Sequence, residues 1–194
     1  NYICMIQLSE RLLAMEESAT IAMSRKSREL KSQGKDVISL SLGEPDFNTP
    51  QFIKDAANEA MDNNFTKYMP VPGYDDLRES ISNKFKRDNN LDYNKDPIVV
   101  STGAKQSIAN VVLTLINRGD EVIIPAPFWV SYIEIVKVAG GVPILVNAGI
   151  DKDFKISGKE LAHAITPKTK LMIFSTPCNP TGSVYSRTEL RDLA

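Results

Sequence analysis

The spacing of apolar residues changes character about halfway along the chain. Before residue 90, helical spacing dominates. Ile21 to Gln33 reads as a helix, with Gly34 as its C-terminal stop. Asp75 to about Asn89 reads as a charged amphipathic helix. Between them, Thr49-Pro50 has the form of an N-cap followed by proline at the first helical position, opening a helix to about Asn63. Val37-Ile38-Ser39-Leu40-Ser41 alternates apolar and polar residues and predicts a short strand. The stretch 1–18 has no clear period, and Gly43–Phe47 and Tyr68–Gly73 are loops punctuated by Gly and Pro.

After residue 90 the apolar runs shorten and alternate with helices. Ile98–Ser101, Glu121–Ile124, Val142–Val146 and Leu171–Phe174 predict strands. Lys105–Ile116 and Trp129–Ala139 predict helices between them. Ser157-Gly158-Lys159-Glu160 and Ser186-Arg187-Thr188-Glu189 are capping boxes that start two more. Short strands alternating with helices predict an α/β fold, a mostly parallel sheet with helices on both faces.

Composition removes several classes of function. The 194 residues carry 23 Lys+Arg against 24 Asp+Glu, so the basic surface that non-specific nucleic-acid binding needs is missing. No apolar run approaches the ~18 residues of a membrane helix, and Val111–Ile116 is already broken by Thr114. Two distant cysteines, Cys4 and Cys178, and a single histidine exclude a structural zinc site and suit a reducing compartment. His163, flanked by Ala162 and Ala164, reads as an ordinary helix residue, Cys178 as an inert thiol, and the Asp75–Asp88 charges as a solvated helix face.

In open α/β sheets ligands bind beyond the carboxyl ends of the strands. Ser101-Thr102-Gly103-Ala104-Lys105-Gln106 puts small residues at a helix N-terminus, where backbone N–H groups and the helix dipole favour an anion; it is equally an ordinary tight turn. No GxGxxG or GxxxxGK[ST] occurs, which disfavours a dinucleotide or P-loop site. Pro125–Trp129 fixes the only tryptophan at a strand end, where it could stack on a planar ligand or simply pack in the core. In Ser175–Gly182, Pro177 and Pro180 stiffen the chain around Asn179, whose amide could face a ligand or only form a turn. Gly43 would allow close backbone approach.

Taken in order, SLGEPDF (41–47), TKYMPVPG (66–73), STGAKQ (101–106), PAPFWVSY (125–132) and STPCNPTGSVY (175–185) resemble fold-type I, pyridoxal-phosphate-dependent class I aminotransferases, nearest to the bacterial aspartate aminotransferase branch. The resemblance runs from about Leu8 to Ala194. It implies an incomplete cofactor-binding large domain over 49–194, preceded over 1–48 by an arm, helix and first strand of the small domain. It implies pyridoxal 5'-phosphate as cofactor, with Gly103, Ala104 and Lys105 holding the phosphate, Trp129 stacked on the pyridine ring and Asn179 donating to the ring's 3'-oxygen. Trp129, Asn179 and Gly43 would also face the substrate, and Tyr68 would reach the phosphate in the neighbouring subunit of a homodimer. Ala126-Pro127 and Asn179-Pro180 would be candidate cis peptides.

The same resemblance implies a cytoplasmic enzyme of amino-acid metabolism, acting on amino-acid and 2-oxo-acid substrates, with no metal, nucleic acid or membrane partner. The family's Schiff-base lysine stands in a Ser-x-x-Lys context. Here only Ser32-Gln33-Gly34-Lys35 matches, at the end of a helix near the N-terminus. The expectation is that the lysine lies beyond residue 194, and that this stretch is the inactive N-terminal portion of an enzyme acting on an L-amino acid, aspartate first. Rival expectations are another fold-type I enzyme, such as a C–S lyase, or a non-catalytic binding module. Some relatives that also accept prephenate resemble this chain near Met15 but carry Lys where Glu16 stands, and an acidic side chain there would repel a second carboxylate.

Overall fold

The computed structural model describes residues 7–194 and divides them into two compact units. One comprises the described residues through Leu42 together with Ser107–Ala194, and the other is Gly43–Gln106. Cys4 lies outside the described residues.

The first unit is built on a three-stranded parallel sheet of order β2-β1-β3: β1 Glu121–Ala126, β2 Val142–Asn147 and β3 Thr169–Met172. Glu121 stands opposite Val142 and Ala126 opposite Asn147; on the other side Val122 faces Leu171 and Ile123 faces Met172. Alternate β1 side chains enter different cores, as the two-residue period of a strand requires. Val122 and Ile124 join Val112 and Ile116, at the end of α5 (Ala104–Leu115), and Tyr132 and Val136 of α6 (Ser131–Val138). Ile123 packs instead with Ala148, Ile156 and Leu161 of α7 (Gly158–Ala164), and Leu193 of α8 (Arg187–Leu193) borders that cluster. Both faces of the sheet are therefore covered, as expected.

α2 (Ala19–Ser32) also belongs to this unit, after the single turn α1 (Glu10–Leu13) that the sequence pattern did not predict. The second unit holds α3 (Gln51–Asp62) and α4 (Asp75–Asn89), close to their expected bounds. Pro50, not Thr49, occupies the N-cap position of α3, and no side chain caps it.

Two expected strands do not form. Residues 37–41 and 98–101 are not assigned to any strand. Their composition suits a pleated surface, but a strand exists only when a neighbouring backbone supplies its ladder. Ile38 and Leu40 are 85% and 92% exposed, and Val100 makes a single backbone bond, its N–H donating to Pro72 O at 2.9 Å. The expected Leu171–Phe174 strand sits two residues earlier, because the ladder with β1 spans Thr169–Met172. α6 starts at Ser131, not Trp129, after a turn in which Tyr132 N–H donates to Trp129 O at 3.0 Å.

Both capping boxes form as expected. Ser157 and Ser186 accept from the N–H of Glu160 and Glu189, whose carboxylates return the bond to the cap backbone. Each carboxylate also meets a lysine, Glu160 with Lys152 at 2.6 Å and Glu189 with Lys155 at 2.8 Å. These lysine hydrogen bonds first, and the bonds from the cap serines next, pull both carboxyls down to about 2. A carboxyl held below its unfolded value stabilises the fold fully above about pH 4.5, and that stabilisation disappears as pH falls towards 2. Thermal melting from pH 5 to pH 2 is expected to show a falling Tm, and Glu189→Gln, with a neutral cap partner, a shallower fall; an unchanged slope would refute the assignment.

Candidate active site

Within the first unit, two turns meet beyond the carboxyl ends of β1 and β3. Ala126-Pro127, Thr176-Pro177 and Asn179-Pro180 are all cis, including both bonds expected to be. The Cys178 thiol donates to Pro127 O at 3.4 Å, tying the turn that carries Asn179 to the turn that leads to Trp129. Cys178 is therefore a fastener between the turns, a role that its isolation in the sequence conceals. The Asn179 turn is closed on itself: Gly182 N–H donates to Cys178 O at 2.7 Å, Cys178 N–H to Ser183 O at 2.9 Å, and Asn179 N–H to Ser175 Oγ at 3.2 Å. That leaves the exposed Asn179 side-chain amide with no hydrogen-bond partner among the described residues.

Behind this turn, Tyr185 is buried and its hydroxyl accepts from Ile156 N–H at 2.8 Å. Burial pushes the phenol above its usual range, so it stays protonated at neutral pH. Phe174 meets the Tyr185 ring edge-on at 5.5 Å. Trp129 is half-buried against the α5–α6 core, its ring perpendicular to Tyr132 at 5.6 Å, so packing fixes its orientation.

The second unit holds Gly43, Tyr68, Gly103, Ala104 and Lys105. Gly103 has φ +93°, a conformation L side chains rarely adopt, and an added Cβ there would meet nothing within 4 Å. This glycine is required by its backbone and not by crowding. It leads directly into α5, and the Ala104 N–H donates to no described residue. Thr102 N–H and Oγ1 both donate to Gln106 Oε1, at 2.5 and 2.6 Å, so the turn is braced by its own side chains. Gly43 is exposed with open space around it, and Tyr68 is fully exposed.

The charged face of α4 departs from expectation at one place. Arg78 is buried, 8% exposed, and hydrogen-bonds Lys95, Asp96 and Ile98 through their carbonyls as well as Asp75. Lys95 also donates to Asp75 at 2.9 Å and holds that carboxyl below the usual range. Partners 17 to 20 residues away cannot be read from periodicity. His163 is exposed on α7, as expected. Among the described residues no group of His, Cys, Asp or Glu could hold a metal, and no helix is long and apolar enough to cross a membrane.

A parallel sheet covered on both faces, with two cis-proline turns at strand ends, defines an α/β protein. The model of the family described as aminotransferase class I and II matches residues 35–194, and the chain belongs to that family. It is 51% identical over 187 residues to a probable aspartate/prephenate aminotransferase of Rickettsia bellii, covering 96% of this chain and 47% of that protein. It is 49% identical over 187 residues to an aspartate aminotransferase of Bacillus sp., covering 96% and 48%. The solved aspartate aminotransferase of Thermus thermophilus with maleate is 42% identical, with a TM-score of 0.93 over 97% of this chain and 50% of that one. The chain spans about half the length of the curated relatives it matches.

Proposed function

We propose that the protein containing this chain is a pyridoxal-phosphate-dependent aminotransferase that moves an amino group between an L-amino acid, aspartate first, and a 2-oxo acid. The Asn179 turn carries the reading: a closed, fastened loop at a strand end that presents an unspent amide. The residues fit the cofactor's chemistry. Gly103 and the Ala104 N–H at the start of α5 suit a phosphate, and Lys105 adds a cation. Trp129 offers a fixed aromatic face, and the Asn179 amide a donor for the ring's 3'-oxygen.

When bound, the cofactor supplies an electron sink that the twenty side chains lack. The chain's own part is binding and orientation. Backbone N–H groups at α5 would hold the phosphate, Trp129 would offer its face to the ring, and Asn179 would donate to the ring's oxygen and disperse charge there. Gly43 leaves room for a substrate carboxylate. We assign 49–194 to the large domain and 1–48 to the small one, with Tyr68 serving the neighbouring site of a homodimer in the cytoplasm.

The dicarboxylate in the Thermus protein's structure supports a four-carbon acid as substrate. In the assay, full-length protein is mixed with pyridoxal phosphate, aspartate and 2-oxoglutarate, and oxaloacetate is followed through malate dehydrogenase. A protein that stays colourless with the cofactor would sink the proposal, and pyruvate with ammonia from one amino acid would replace transamination by β-elimination.

Glu16 gives a test of substrate range. It is exposed, and its N–H donates to Glu134 Oε2 at 3.2 Å. Glu16→Lys replaces repulsion of a second carboxylate by attraction, so kcat/KM for the dicarboxylates aspartate and prephenate is expected to rise about threefold relative to a monocarboxylic substrate such as alanine. An unchanged ratio would remove Glu16 from substrate selection.

A further inference from the structure

We infer that Arg78 is a positioning residue for the cofactor phosphate: it acts by clamping the segment 95–98, which feeds the Ser101–Lys105 turn. The inference rests on the aminotransferase reading and concerns Gly43–Gln106 alone.

Arg78 leaves α4 to bind three carbonyls of one short segment. Nε donates to Ile98 O at 3.0 Å, and Nη2 to Lys95 O at 2.8 Å and Asp96 O at 3.1 Å. Nη1 donates to Asp75 Oδ1 at 3.0 Å, and Lys95 Nζ closes the ring on Asp75 Oδ2 at 2.9 Å. A planar guanidinium with several fixed N–H directions can serve three carbonyls and a carboxylate together; an ammonium cannot.

Residues 98–101 are not assigned to a strand among the described residues, and the Arg78 bonds hold the segment that leads into them. Two residues past Ile98, Val100 N–H donates to Pro72 O, and Val100 Cγ2 packs where a Cβ on Gly73 would come to 2.8 Å. Gly73 sits at φ +105°, a second constraint on the same junction. Ser101 O then accepts Gly103 N–H at 2.8 Å, which sets the start of α5. The path from Arg78 to the phosphate turn is thus continuous backbone, pinned at 95–98, 100 and 101. Trp129 and Asn179, which serve the ring, belong to the other unit.

This predicts a selective defect. In the full-length apoenzyme, Kd is measured for pyridoxal phosphate and for pyridoxal, which has the same ring without the phosphate. Arg78→Lys is expected to weaken pyridoxal phosphate about tenfold, and pyridoxal by less than twofold. Asp75→Asn, an exposed and milder change, is expected to shift the same ratio two- to threefold and covers the case in which Arg78→Lys does not fold. Equal weakening of both ligands, or an unchanged ratio in a folded variant, would overturn the inference and leave Arg78 a purely structural residue. A wild-type protein that binds neither ligand would instead overturn the aminotransferase reading on which it rests.

Discussion

Replacing Asn179 by alanine is expected to lower kcat/KM for aspartate about a hundredfold in the full-length protein, with no change in thermal stability. A hydrogen bond to a charged acceptor contributes roughly 1.5–3 kcal/mol, and each ~1.4 kcal/mol is a factor of ten in rate. Asn179 reaches the upper part of that range because its loop is fixed before any ligand arrives. The Cys178 thiol, Ser175 Oγ and the Gly182 and Ser183 backbone groups hold the turn, so little ordering cost is left for binding. Stability should hold because the side chain is exposed and bonds to no described residue. Asn179→Asp should lose more, since it sets an acceptor and a negative charge against the ring oxygen. A loss under threefold in a folded variant would mean that Asn179 is not the donor.

The same turn shows which features the sequence makes legible. Two prolines around an asparagine announce a stiff loop, and the cis bonds at Ala126-Pro127 and Asn179-Pro180 match the expectation drawn from family resemblance. The capping boxes at Ser157 and Ser186 were readable because both partners lie within four residues. Helices with strong amphipathic spacing, such as α4, appear within a residue of their expected ends. Contacts set by the tertiary fold had no such signal. Cys178 reaches Pro127 across 51 residues, and Arg78 reaches Ile98 across 20. The strands expected at 37–41 and 98–101 failed for a related reason: β-rich composition says that a segment can pair, never that a partner stands beside it. Lys105 and Trp129 show a third limit. Their types suggested a charge and a ring, but only the fold shows that Trp129 is held edge-on to Tyr132.

Ile123→Ala is expected to cost about 3–4 kcal/mol of stability. Ile123 is fully buried in the middle of β1, which is hydrogen-bonded to β2 on one side and β3 on the other. A strand paired on both edges cannot move inward to fill a void, and incomplete collapse sets the high end of the cavity cost. The cluster it joins is assembled from Ala148, Ile156 and Leu161, and Ile144, Val146 and Met172 border it, so Ile123 is the fully buried member of the sheet face that meets α7. Ile144→Ala, on the same face but only partly buried, should lose less than half as much. Urea unfolding of the full-length protein would report both as a lower midpoint with unchanged m. At temperatures where the variant stays folded, kcat should remain within twofold, because Ile123 faces α7 and the ring-binding turns begin beyond Ala126. A loss below about 1 kcal/mol would show that the second face of the sheet repacks, and that α7 and α8 are not anchored through β1.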